Sequence, residues 1–115
     1  MSTTTATIDG LLLSLAPLNV RAHKMFGEYV LYLDEKVVAL VADDQVYVKV
    51  TPASSARIDA ENLASPYPGA KLALRVPDRQ VVDGRWLQEL LVATAAELPA
   101  PKPKKRRQGN GSVSV

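Results

Sequence analysis

Apolar positions along this chain follow two rhythms, one of helical period and one of strand period. Ile8, Leu11, Leu12 and Leu15 recur at i, i+3, i+4 and i+7, one stripe of a helix, and Pro17 stops it. This spacing predicts a helix over residues 4–16. Gly10 inside it costs about 1 kcal/mol relative to Ala, so the helix must draw its stability from packing on a sheet. After Phe26 the texture changes to runs of Val, Tyr and Leu, broken by D-E-K at 34–36 and D-D at 43–44. That is hairpin punctuation, and it predicts three antiparallel strands: Gly27 to Leu33, Val37 to Ala42 and Gln45 to Val50. Tyr29, Leu31 and Leu33 share one face of the first strand, Val30 and Tyr32 the other. Both faces are apolar, which predicts cover for the second as well as the first.

Thr51 followed by Pro52 opens a second, short helix with a capping hydroxyl and a preset φ. Ala53, Ala56, Ala60 and Leu63 give it a narrow face of small residues for close packing. The turn-rich S-P-Y-P-G at 65–69 follows, with Tyr67 as its large apolar anchor. Leu72, Leu74 and Val76 then alternate with Ala73 and Arg75 as a strand. Asp83 is placed to cap a last helix in which Leu87, Leu90, Leu91, Thr94 and Leu98 form the buried stripe, with Trp86 beside it. Helices and strands in this order fit a two-layer α+β domain.

Composition narrows the chemistry. The chain has 115 residues, 47% apolar and 23% charged, as one ordinary folded domain does. The absence of Cys excludes disulfides, thiolate nucleophiles and cysteine zinc sites, and a single His excludes a His-pair metal site within one chain. No apolar run approaches the ~20 residues of a membrane span. The start, M-S-T-T-T-A-T-I-D, lacks the basic segment and cleavage pattern of a secretion signal, so the expected location is cytoplasmic, away from membranes. Charge is unevenly divided. Residues 1–101 carry nine Lys and Arg against twelve Asp and Glu, a net of −3, and Lys102, Lys104, Lys105, Arg106 and Arg107 add +5 to reach +2. A folded domain over 1–98 followed by a disordered Pro/Lys/Arg-rich tail over 99–115 is therefore expected. The five tail cations are candidate contacts for DNA or RNA, salt-dependent and blind to sequence. They lack interleaved aromatic residues for base stacking.

Catalytic constellations are missing from the pattern. The lone imidazole, His23, flanked by Arg21 and Lys24, is expected to be a surface histidine rather than a general base. No G-x-S-x-G elbow and no glycine-rich phosphate loop occurs. The acidic pairs Asp34 with Glu35 and Asp43 with Asp44 bound a strand of six or so residues and so lie roughly 20 Å apart, too far to share a metal. Antiparallel order predicts that Asp43 and Asp44 meet Arg21, His23 and Lys24 at one sheet end. That end is the candidate for a small-molecule or enzymatic site, against the alternative of simple charge compensation. No metal, no cofactor and no enzymatic activity are expected, and the oligomeric state, monomer or homodimer, is left open.

The stretch from Leu15 to Val50 resembles the N-terminal domain of the TfoX (Sxy) competence regulators. Arg21 precedes Met25-Phe26-Gly27; a strand like Tyr29 to Asp34 follows, then a second strand ending in Asp43 and Asp44, then Tyr47-x-Lys49-Val50. Farther along, Tyr67-Pro68-Gly69, Arg75-Val76-Pro77 and Trp86-Leu87 with Leu90 are similar to the family pattern in order and spacing. The resemblance implies the order α-β-β-β-α-β-β-α, two layers similar to secretion chaperones, with a short strand near Pro66 to Pro68. It implies a stand-alone regulatory or adaptor protein with a protein partner in transcription, since the full regulators act as co-activators beside the cyclic-AMP receptor protein. Of the signature residues Arg21, Met25, Phe26, Gly27, Tyr47, Lys49, Arg75 and Pro77, Met25 and Phe26 are expected to pack in the core at strand entry. Glu28, Val30 and Glu35 stand where the family often has glycine, which predicts no positive φ there.

Overall fold

The computed structural model describes residues 3–99; the tail cations Lys102, Lys104, Lys105, Arg106 and Arg107 lie outside that range. Helix α1 spans Thr5–Leu15, its first turn capped by the Thr4 hydroxyl, and buries Ile8, Leu11 and Leu15 as their spacing predicts. Four strands follow, β1 (Val20–Met25), β2 (Glu28–Leu33), β3 (Lys36–Ala42) and β4 (Gln45–Val48). Helix α2 (Pro52–Arg57) and a single 3₁₀ turn (Ala60–Asn62) lead to β5 (Leu63–Ala64), β6 (Ala73–Arg75), α3 (Asp78–Val81) and α4 (Gly84–Ala96). The strands form one antiparallel sheet in the order β1-β2-β3-β4-β6-β5.

Four strands, not three, precede α2. The extra one, β1, is an edge strand in which V-R-A-H-K-M packs only Val20 and Ala22 against the core cluster. A strand wetted along one edge and one face carries too weak an apolar alternation to stand out. The short fifth strand pairs Leu63 and Ala64 with β6, not the Pro66 to Pro68 segment, because proline has no N–H to give a ladder. Helix α2 ends at Arg57 and leaves Ala56, Ala60 and Leu63 exposed. A capping box between Thr51 and Ser54 sets its start, and the Ser54 hydroxyl donates to the Lys49 carbonyl at 2.7 Å. Ser54 and Ile58 are the residues buried there, rather than the alanine face.

The hairpins β1–β2, β2–β3 and β3–β4 all turn through two residues at positive φ: Phe26 and Gly27 (53° and 82°), Asp34 and Glu35 (51° and 66°), Asp43 and Asp44 (52° and 60°). This handedness matches the right-handed twist of the flanking strands. Glu35 thus takes a positive φ without being glycine, contrary to the sequence expectation: the tight antiparallel register on both sides of the turn determines its backbone.

One face of the sheet is covered. Leu31, Val38, Val41 and Val48 are fully buried, as are Leu15 of α1 and Leu87, Leu90 and Leu91 of α4, in a single core cluster. A register shift between Leu31 and Tyr32 pairs them with Ala39 and Val37 respectively, leaving Val38 as a bulged residue within the core. The helix layer is fastened at its ends. Gln88 Nε2 donates to the Ser14 and Ala16 carbonyls at 2.7 and 3.2 Å. Lys36 Nζ donates to the carbonyls of Ala95 and Leu98 at 2.9 and 3.2 Å, satisfying the end of α4. Glu97 Oε1 accepts the Ala53 N–H at 2.7 Å near the start of α2. Asp83 caps α4 as its position predicts, accepting from the Trp86 N–H.

Candidate functional site

The opposite face of the sheet carries no helix. Strand alternation sends Val30, Leu40 and Tyr47 to that side, paired across β2, β3 and β4, with Tyr32 and Val37 paired one row farther along. These side chains floor an open groove of about 590 Å³, roofed at one side by the 65–72 segment, in which Tyr67 and Leu72 are 51% and 57% exposed. A second hollow of about 440 Å³ shares Met25, Val30, Leu40 and Tyr67 with it and extends to Phe26. The two form one continuous apolar groove. The apolar second face predicted from the sequence is real, but its predicted cover is not: no helix of the described chain lies over it.

The expectation of buried Met25 and Phe26 is overturned. Met25 is 42% exposed and Phe26 96% exposed. Phe26 is the first residue of a two-residue turn that projects beyond the sheet end, so its side chain has nothing to pack into. Gly27 completes the turn at φ 82°. Of the other signature residues, Tyr47 and Lys49 line the groove. Arg75 Nη1 donates to Gln45 Oε1 at 3.0 Å, and Pro77 begins α3.

The five charged residues expected at one sheet end are split. Arg21 pairs with Tyr32 in the register, at the end away from Asp43 and Asp44. Its guanidinium lies 3.9 Å from the centre of the Tyr32 ring and chelates Glu35, with bonds of 2.8 and 2.9 Å. The Glu35 carboxylate holds the Arg21 pKa above its ordinary value. His23 stands exposed in mid-strand opposite Val30, with Lys24 beside it. The sheet begins one strand earlier than the apolar pattern predicts, so Arg21 sits at the opposite end from the one expected. Asp44 is instead an anchor for α1: its Oδ1 accepts the Thr4 N–H and the Thr7 hydroxyl, both at 2.9 Å, and the Thr4 hydroxyl at 3.3 Å. Those donors, the Thr4 N–H foremost, lower its carboxyl below the ordinary 3.8. The Asp43 N–H donates to Glu28 Oε1, which also accepts the Thr3 hydroxyl at 2.7 Å. The acidic turn is therefore a clamp for the start of the chain.

Among the groove residues, Leu40 and Lys71 have no reading in the sequence, and Val30 and Tyr67 have structural ones alone. Their signal was the second apolar face of β2 and the aromatic in S-P-Y-P-G. Among the described residues no group of three His, Asp or Glu side chains could hold a metal ion, and no helix is long and apolar enough to cross a membrane. What the groove offers is removal of apolar side chains from water, with Lys49 and Lys71 among its lining residues.

Comparison with known proteins places the chain in a family and beside a relative. Residues 12–98 match the family described as the TfoX N-terminal domain. Over 90 residues the chain is 46% identical to a protein of Spirochaeta aurantia described as an uncharacterized 12.7 kDa protein in the trpE 5' region, covering 78% of this chain and 77% of that one.

Proposed function

Since this chain belongs to the TfoX N-terminal domain family, we propose that it is a cytoplasmic, non-enzymatic regulatory or adaptor protein that acts on transcription through a protein partner. The observation that carries this reading is the uncovered apolar face. Val30, Leu40 and Tyr47 floor a groove that no helix of the described chain covers, and the exposed Met25 and Phe26 flank it, an arrangement of apolar side chains suited to interaction. His23 and the acidic turns supply no converging acid, base and nucleophile, and an open antiparallel sheet with its helices on one face supports the reading of the fold as secretion-chaperone-like. The five cations between Lys102 and Arg107 are read as an auxiliary hold on nucleic acid.

A deletion strain complemented with wild type or with a Leu40→Asp/Tyr47→Ser open-face allele tests the proposal. Transcript profiles should be restored by the first and not by the second, with both proteins present at equal levels. Equal restoration would end the adaptor reading. For the tail, full-length protein and a variant with its five cations replaced by Gln are compared on duplex DNA at two salt concentrations. Five released counterions predict a slope of up to about −4.5 in log K against log salt for the wild type, and a nearly flat response for the variant.

A further inference from the structure

The groove has a polarity that narrows its occupant. Along the strands it runs from the Phe26-Gly27 turn to the Lys49 and Lys71 end, roughly 20 Å for six residues of strand. That length suits a peptide segment of about five or six extended residues. Lys49 and Lys71 are exposed, and their ammonium groups have no hydrogen-bond or ion-pair partner among the described residues. The acid of the groove, Glu28, sits at the other end and accepts from Thr3 and the Asp43 backbone. Residues 1–101 have a net charge of −3, so this unneutralised cationic end stands out against an acidic body.

Phe26 adds an independent argument. It occupies a left-handed backbone position, φ 53°, where a bulky side chain is an outlier and where Asn before Gly is the favoured choice. The same residue is 96% exposed, so folding gains nothing from its ring. A locally unfavourable residue with no packing return marks a site kept for something other than the fold. A projecting aromatic beside an apolar groove is the form of an interface anchor.

Resting on the adaptor reading above, we propose that the groove binds an acidic peptide segment of a partner protein, its large apolar side chains seated between Val30, Leu40 and Tyr67 and its carboxylates directed to Lys49 and Lys71, with Phe26 inserted into the partner. Single-stranded nucleic acid fits less well. Base stacking needs successive free ring faces, whereas the Tyr32 ring is covered by Arg21, itself held by Glu35, and Val30 and Leu40, the floor residues beside Tyr47, are aliphatic.

The test selects short random peptides displayed on phage against the immobilised full-length protein and against the full chain with its five tail cations replaced by Gln. Both baits should enrich sequences combining Asp or Glu with Phe, Leu or Trp. Affinity for the enriched pool should fall about tenfold or more with Lys49→Glu/Lys71→Glu and with Phe26→Asn, while Phe26→Asn melts no lower than wild type. That last pairing separates a contact residue from a structural one. Loss of acidic enrichment with the tail-neutralised bait, enrichment of basic or purely polar peptides, undiminished binding by Phe26→Asn, or no enrichment at all would each overturn the proposal. Binding of oligouridine that Tyr47→Ser abolishes would overturn it too, leaving the open face as an interaction surface. Failure of the adaptor reading shows separately, as full complementation by the open-face allele.

Discussion

The two faces of the sheet are built from the same strands and nearly the same residue types, yet helices seal one and the other carries an open groove. On the covered side Leu31, Val41 and Val48 meet Leu15, Leu87, Leu90 and Leu91, all fully buried. On the open side Val30, Leu40 and Tyr47 meet the 65–72 segment along one flank only. Among the described residues two helices exceed ten residues. At about 10 Å in diameter each, they span the roughly 19 Å breadth of four strands once. Covering the second face would need helices that the described chain does not have. An apolar face of a strand is thus a statement about what that face can contact, and supply of partners decides whether the contact is internal.

The comparison breaks most visibly under truncation. Leu90→Ala should lower unfolding free energy by about 2–5 kcal/mol through lost burial and a residual cavity. Leu40→Thr on the open face should cost less than about 1 kcal/mol, the scale of a cross-strand pair with Tyr47. Urea denaturation of both variants measures the contrast, and equal losses would mean that the open face is packed after all. A smaller effect tests the fastening of the covering layer. Lys36→Met removes the donor to Ala95 and Leu98 at the end of α4 and should cost about 1 kcal/mol, with amide exchange accelerated first in the last turn of that helix.

Phe26→Asn sharpens the comparison from the other direction. Relief of the left-handed strain should raise stability by about 1 kcal/mol, so that the open side gains from a change that removes apolar surface. A fall in melting temperature would show that the ring packs somewhere. The smallest effect belongs to the exposed clamp at Asp44. Its carboxyl is lowered in the folded state, so its contribution is fully present above the ordinary 3.8 and is lost as pH falls through the lower folded-state value. Melting of wild type and Asp44→Asn should therefore differ at pH near 7, with wild type the higher, and the gap should narrow in acid below the ordinary value.

Much of the covered side is legible in the sequence alone. The stripes of α1 and α4, the Asp83 cap, the β2–β3–β4 meander and the Leu74 strand all follow from spacings of 3.6 or 2, which are properties of neighbours along the chain. Less of the groove could be read. Tyr47 and Lys49 were named as signature residues, but Val30, Leu40, Tyr67 and Lys71 come together only when β2, β3, β4 and the 65–72 segment meet. Arg21 was assigned to the wrong end because β1 lacked its own signal. Its neighbours Tyr32 and Glu35 lie more than ten residues away, on a strand and turn that only pairing brings beside it.

The sequence by itself determined α1, the opening of α2, α4, the central hairpins, the α+β class and the absence of Cys and of a second His, because periodicity, turn residues and composition act locally. Tertiary structure decided that β1 joins the sheet, that Glu35 and Phe26 take left-handed conformations, and that one apolar face stays open. Each of these depends on the register of distant strands or on the number of helices available to cover them, and neither quantity is written in any short stretch of chain.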